Sequence, residues 1–317
     1  MSTSADTSTP ARKGLPVYKR RRRRIYGAAA LVLAVIVGVV VWATTGGSSG
    51  PTALPSFTIS VSQGSVASPD SKTFRRGGRR TVALSRASLR VRPGELTCLL
   101  GPSGCGKSTL LRIIAGALPA DQGTVTVGGR PATGPSPDRG MLFQTPMLFS
   151  WLTTRNNIMF GPRAQRAARL HERDDPELDE EANALLERVG LTGFGDAFPH
   201  ELSGGMRHRA AFARALASRP SLLLMDEPFG ALDAITRERM HEFLLDIWEQ
   251  HRITIIFVTH DIEEAILLGD RVAVMGGRPP GIGEIIDIPL GRPRHALDTD
   301  TEAFLAVKRR IRAALRS

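Results

Sequence analysis

The residues of this chain best placed to do chemistry together are Gly101, Pro102, Ser103, Gly104, Cys105, Gly106, Lys107, Ser108 and Thr109. Their order fits G-x-x-x-x-G-K-[ST], a loop that cradles the phosphates of a nucleotide. Gly101, Gly104 and Gly106 permit positive φ and carry no Cβ, so successive backbone N–H groups can converge on one anion. Lys107 is expected to reach the β and γ phosphates, and the Ser108 hydroxyl to ligate Mg²⁺. Such a loop needs a strand in front of it and a helix behind it. Leu96–Leu100 is an apolar run of strand length, and Leu110–Ala115 reads as a helix whose N-terminal dipole would face the phosphate.

A second group of residues can complete the site. Ser221–Pro228 reads as a buried strand ending in two adjacent carboxylates, and ligands bind beyond the carboxyl ends of such strands. Asp226 is expected to hold the water shell of Mg²⁺, and Glu227 to polarise an attacking water. Just upstream, Ser203 is a good N-cap, and Gly204-Gly205 lets a backbone come close, so a second helix start able to face an anion is expected there. Ile253–Thr259 is another buried strand, ending in the polar pair His260-Asp261.

The elements that must position these groups fill most of a 317-residue chain, ample for a large core. The net charge of +11 would ordinarily point to nucleic acid or an anionic membrane, but about +7 of it lies in residues 1–24, with the run Arg20–Arg24. The remainder is close to neutral, and no nucleic-acid partner is expected. Residues 1–24 read as a basic disordered arm. Residues 25–43 form an uncharged apolar segment long enough to cross a bilayer as one helix, with Trp42 at its far end. A cleaved signal peptide and a buried helix are the competing readings. Residues 44–71 read as a flexible linker, and the folded domain as 72–317. Short antiparallel strands are expected ahead of the phosphate loop, with Arg75, Arg76, Arg79 and Arg80 around a Gly77-Gly78 hairpin tip. Cys98 and Cys105 do not read as a disulfide pair, which suits a reducing compartment.

Taken in order and spacing, these pieces resemble the ATP-binding subunits of ABC transporters over residues 72–317. Gly101–Thr109 is similar to their Walker A loop, Leu222–Asp226 to Walker B with Glu227 as the catalytic glutamate, and Leu202–Met206 to the signature motif. Gln144 matches the Q-loop, Ala231–Asp233 the D-loop, and His260 the switch histidine. Leu-Ser-Gly-Gly-Met-Arg, the run Pro228–Asp233 and the terminal stretch Phe304–Ile311 are similar to importers of nitrate, sulfonate and taurine. His208 stands where those importers usually have Gln, and is read as a tolerated surface change.

The resemblance implies an α/β phosphate-loop core with an antiparallel β subdomain and a helical subdomain. It implies ATP and Mg²⁺ at one site, with Phe74 stacking on adenine, Gln144 linking the metal to the helical subdomain, and His260 contacting the γ-phosphate. It further implies a head-to-tail pair of such domains, in which Ser203, Gly204 and Gly205 of one cover the nucleotide on the other. Expected partners are a multi-spanning permease and, through it, an extracytoplasmic solute-binding protein. The apolar stretch from Gln144 to Gly161 suits a groove for the permease, or else a loop packed inside the helical subdomain. An ABC ATPase acting on nucleic acid or ribosomes is the alternative, as is an unrelated phosphate-loop kinase or GTPase. The arginine run would put residues 1–24 in the cytoplasm and, across one span, the ATPase outside it. Because ATP is inside, the ATPase domain is expected at the cytoplasmic face of the cell membrane.

Overall fold

The computed structural model describes residues 57–60, 72–76, 79–85, 87–170, 176–294 and 296–316. The chain divides into Met1–Gly46 and Gly47–Ser317, and all the described residues belong to the second unit. The basic arm and the apolar segment 25–43 lie outside them. Among the described residues, no helix is long and apolar enough to cross a membrane.

The centre is a six-stranded sheet in the order β12-β11-β5-β10-β9-β8. Its strands are β5 (Leu96–Leu100), β8 (Arg139–Leu142), β9 (Leu222–Asp226), β10 (Thr254–Thr259), β11 (Arg271–Gly276) and β12 (Gly281–Asp287). All neighbours are parallel except β11 and β12. The inner strands are apolar at nearly every position because both faces are covered. Leu96, Cys98 and Leu100 of β5 enter one core with Trp248, Leu268 and Phe304, whereas Leu99 enters the opposite core with Leu110, Ile113 and Val125. Each strand thus sends successive residues into two different layers, the alternation that a pleated strand imposes.

The first layer is made of α6 (Ala234–His251), α7 (Ile262–Leu268) and α8 (Glu302–Ala314), the last being the terminal helix that Phe304–Ile311 predicts. The second holds α1 (Lys107–Ile114) and a four-stranded antiparallel sheet of β1 (Phe57–Ser60), β4 (Ser88–Val91), β6 (Thr124–Val127) and β7 (Arg130–Pro131) in the order β4-β1-β6-β7. A third apolar cluster joins α2 (Thr154–Ile158), α4 (Pro176–Arg188) and α5 (Gly204–Ala217) through Ile158, Leu185, Ala210 and Ala213, giving the expected helical subdomain. The expected hairpin is present as β2 (Lys72–Arg76) and β3 (Arg79–Leu84), with Arg76 opposite Arg79.

The folded unit starts earlier than residue 72. β1 (Phe57–Ser60), inside the stretch read as linker, pairs antiparallel with both β4 (Ser88–Val91) and β6 (Thr124–Val127). Absence of charge suggested a linker, but Phe57-Thr58-Ile59 is strand-forming and the ladder supplies partners for its backbone. A chain beginning at Gly47 keeps β1 and its two ladders. One beginning at residue 70 loses the strand between β4 and β6, and should melt at least about 10 °C lower. Equal melting of the two shortened chains would exclude a structural role for β1.

Candidate functional site

Three neighbouring parallel strands, β5, β10 and β9, deliver the chemistry. Thr259 of β10 pairs with Leu100 of β5, and Val258 with Asp226 of β9. The residues that follow, the phosphate loop, His260 and Glu227, therefore emerge side by side at the carboxyl edge of the sheet. This is where an open α/β sheet leaves its ligand crevice.

Inside the loop, two glycines are sterically required. Gly106 caps α1 with φ +91°, and a Cβ there would lie 2.4 Å from the carbonyl oxygen of Ala83. A Cβ on Gly101 would lie 2.4 Å from the carbonyl oxygen of Met275. Cys105 is buried, and that burial pushes its thiol pKa up, away from the reactive thiolate. Neither cysteine is in a disulfide. Lys107 is buried in the loop, and its Nζ donates to the carbonyls of Gly101 at 2.7 Å and Pro102 at 3.1 Å. The same Nζ lies 3.8 Å from Glu227 Oε1.

On the other side, the Ser108 hydroxyl donates to Asp226 Oδ1 at 2.9 Å. These are two hard oxygen donors next to a phosphate-binding loop, a set that suits Mg²⁺ with water and phosphate completing the shell. Burial raises the pKa of Asp226 from its ordinary value, an effect opposed by the bond from Ser108. A raised folded-state pKa means that folding favours the proton. Stability therefore falls as pH climbs from the ordinary carboxylate value through the raised one. Asp226→Asn, which removes the charge but keeps an acceptor for Ser108, should raise the melting temperature of the nucleotide-free chain by a few degrees. The gain should disappear at acid pH. An unchanged or lower melting temperature at neutral pH would show that no such penalty exists.

Glu227 has φ +46°, a left-handed conformation that is unfavourable by about 1–2 kcal/mol for a residue with a Cβ. Its N–H donates to Val258 O at 3.1 Å, which ties the turn to β10. Its Oε2 lies 3.1 Å from Nδ1 of His260, a side chain that remains largely exposed. Glu227 is thus held between Lys107 and His260. Gln144 follows β8 and is exposed, yet its amide faces the same turn: a Cβ on Gly230 would lie 3.5 Å from Gln144 Nε2. Gly230 N in turn donates to Glu227 O at 3.2 Å.

Ser203 caps α5 as expected, its Oγ accepting from Met206 N at 3.3 Å. With Gly204 and Gly205 it lies at the foot of α6, where a Cβ on Gly205 would sit 3.1 Å from the Thr236 methyl. Asp233, at the end of Ala231–Asp233, caps α6 by accepting from Thr236 N at 3.0 Å. Phe74 sits on β2 opposite Thr81. The stretch Gln144–Gly161 is a loop only as far as Thr153; α2 and α3 (Phe160–Leu170) take up the rest.

Two groups of residues were not legible as parts of this site. Glu264 on α7 accepts from the Thr259 hydroxyl and lies 2.7 Å from His241 Nε2 of α6, so it braces the strand end that carries His260. Asp261 N donates to Thr259 Oγ1 at 3.0 Å. His208 is not a surface residue. It is 6% exposed, with Nδ1 3.0 Å from Gly204 O and Nε2 3.3 Å from Gln144 O. Its position in the sequence suggested solvent because α5 has two covered sides, one on the helical subdomain and one on β8 and its loop.

A model of the ABC transporter family matches residues 84–230. The nitrate import ATP-binding protein NrtD of Synechocystis is 49% identical over 209 residues, covering 66% of this chain and 76% of the relative. The aliphatic sulfonates import ATP-binding protein SsuB of Bacillus subtilis is 44% identical over 240 residues, covering 76% of this chain and 89% of the relative. Among solved structures, a dimeric ATP-binding cassette in a post-hydrolysis state bound to ADP and Pi superposes with a TM-score of 0.61 at 27% identity. That match covers 74% of this chain and all of the other.

Proposed function

Because the chain belongs to the ABC transporter family, as an ATP-hydrolysing import subunit, we propose that it works as a head-to-tail pair on the cytoplasmic face of a permease and drives uptake of a small solute of the nitrate, sulfonate or taurine type. The observation that carries this reading is the placement of Glu227 between Lys107 and His260, beside the Ser108–Asp226 pair. That is the constellation phosphoryl transfer to water needs: counter-charge for the phosphates, donors for a metal, and a carboxylate to orient the nucleophile.

Lys107 exchanges its two loop carbonyls for phosphate oxygens when ATP enters the loop, and Phe74 stacks on the adenine. Ser108 and Asp226 would hold Mg²⁺, with Gln144 also placed to serve it, and the metal would supply charge neutralisation for the phosphates. Glu227 accepts hydrogen bonding from the attacking water and draws on its proton, while His260 holds Glu227 in orientation and then faces the γ-phosphate. Ser203, Gly204 and Gly205, at the start of α5, serve the nucleotide of the second copy, whereas Lys107, at the start of α1, serves the nucleotide of its own chain. The dimeric cassette that the chain resembles supports this pairing.

What supports a permease partner, rather than nucleic acid or a ribosome, is the apolar loop after Gln144. Trp151 is 68% and Met147 58% exposed, and Phe149 packs against Trp151 with ring centroids 5.2 Å apart. Exposed large apolar groups of this kind mark a docking surface. The solute is expected to be of the nitrate, sulfonate or taurine type, delivered to the permease by an extracytoplasmic binding protein. In the native host, Trp151→Asp should abolish copurification of a multi-spanning membrane protein, at unchanged melting temperature, because a charge in a buried interface centre is strongly unfavourable. Undiminished capture of the permease would remove this loop from the interface. Capture of ribosomes or nucleic acid by the wild type would favour the other class.

A further inference from the structure

The loop that runs from Gln144 to Thr153 meets two demands at once. At one end the Gln144 amide faces the turn that carries Glu227, and at the other Met147 and Trp151 stand out from the surface. A loop without regular structure does not by itself hold a side chain to the tolerance that hydrolysis needs. Its backbone is tied down at two points by the same helix, α5. His208, near the start of α5, faces Gln144 O, and Arg214, further along, donates through Nη1 to Met147 O while its guanidinium lies over the Phe149 ring at 5.6 Å.

We propose that His208 is a positioning residue for ATP hydrolysis: from the first turns of α5 it fixes the backbone of Gln144, and thereby the aim of the Gln144 amide at the Glu227 turn. The inference rests on the ATPase reading above and assigns a role to a residue that touches neither nucleotide nor metal. Both partners of the imidazole are carbonyls, which only accept, so a ring nitrogen serves its partner only where it carries the N–H, and the uncharged ring has one to give. Gly204 O is four residues back, the ordinary acceptor of a helical ladder, and has the helix to satisfy it. Gln144 O is 64 residues away, and its bond from His208 is the one that joins two segments. A buried imidazole spent on the carbonyl of Gln144 therefore does more than fill space. The same helix begins with Ser203, Gly204 and Gly205, so His208 also makes the start of α5 and the Gln144 loop move together.

The test uses the full chain in steady-state Mg-ATP hydrolysis. His208→Leu should lower kcat about tenfold with KM for ATP changed by no more than about twofold, because the phosphate loop itself is untouched. His208→Gln, whose amide N–H can reach in the same direction, should recover kcat to within about threefold of wild type. His208→Asn is equally polar but too short, and should behave like the Leu variant. In the Gln144→Ala background, His208→Leu should cost no further rate, since the side chain it positions is gone. Wild-type kcat in His208→Leu would overturn the proposal. So would equal turnover by the Gln and Asn variants, which decides the matter even if the Leu variant fails to fold, or independent multiplication of the two lesions. Those outcomes with an active wild type leave the ATPase reading standing. A wild-type chain as inert as Glu227→Gln would overturn that reading and this proposal together.

Discussion

Glu227→Gln is expected to bind ATP with nearly wild-type affinity and to lose steady-state hydrolysis by about 10²–10³-fold, the range removed when a general base or a fixed electrostatic group is deleted. The amide keeps the size of the carboxylate and its place at φ +46°, so the turn and its bond to Val258 O should survive. It cannot draw on a water proton. It also ends the carboxylate's contacts with Lys107, 3.8 Å away, and with His260, 3.1 Å away. Freed of that carboxylate, Lys107 should hold phosphate at least as well as before. Binding and turnover should therefore separate cleanly, with the variant trapped as an ATP-bound dimer in solution. Light scattering with and without ATP reads the dimer, and phosphate release reads turnover. Turnover within about threefold of wild type would remove Glu227 from the role of base.

Much of this site could be read in the sequence because its parts are local. Gly101–Thr109 carries its own strand and helix, Asp226 and Glu227 end an apolar run, and Ser203 precedes the helix it caps. In each case the signal and the structure it specifies lie within about ten residues, inside the window where periodicity and capping act. What was not legible is non-local. Nothing near Phe57 says that Val91 and Thr126 will stand on either side of that strand, so four residues in an uncharged stretch read as linker. Nothing near His208 announces Gln144, and nothing near Glu264 announces Thr259 and His241 together. Those contacts depend on which helix crosses which strand end, which is settled only when the layers pack. Even the positive φ of Glu227 follows from the tie to β10 rather than from the residue itself, since glutamate has no preference for it.

Lys107→Ala should weaken ATP binding by about 100-fold or more and abolish turnover, because charge-assisted bonds to phosphate in a water-poor loop are among the strongest a side chain makes. The loop itself should persist: what is lost inside the protein is donation to two carbonyls that solvent can replace. Ser203→Ala should also be inactive, but for a different reason. It removes the cap of α5, a loss of about 1 kcal/mol in helix stability, and takes a hydroxyl away from the nucleotide of the second copy. Lys107 and Ser203 sit at different places in one chain, so a site made from a single chain would stay dead when the two variants are mixed. A head-to-tail pair predicts otherwise. One site of each mixed dimer takes Lys107 from the Ser203→Ala chain and Ser203 from the Lys107→Ala chain, and is whole; the other carries both lesions. Random pairing makes half the dimers mixed, so about a quarter of all sites are whole and activity should return toward that fraction. Recovery requires only that each whole site can turn over when its neighbour cannot; a covalently tethered pair of one wild-type chain and one chain carrying both lesions gives the converse case, since it holds a whole site only if each chain makes its own. Mixed dimers that are demonstrably formed yet inert, alongside an active tethered pair of that kind, would rule out a shared site.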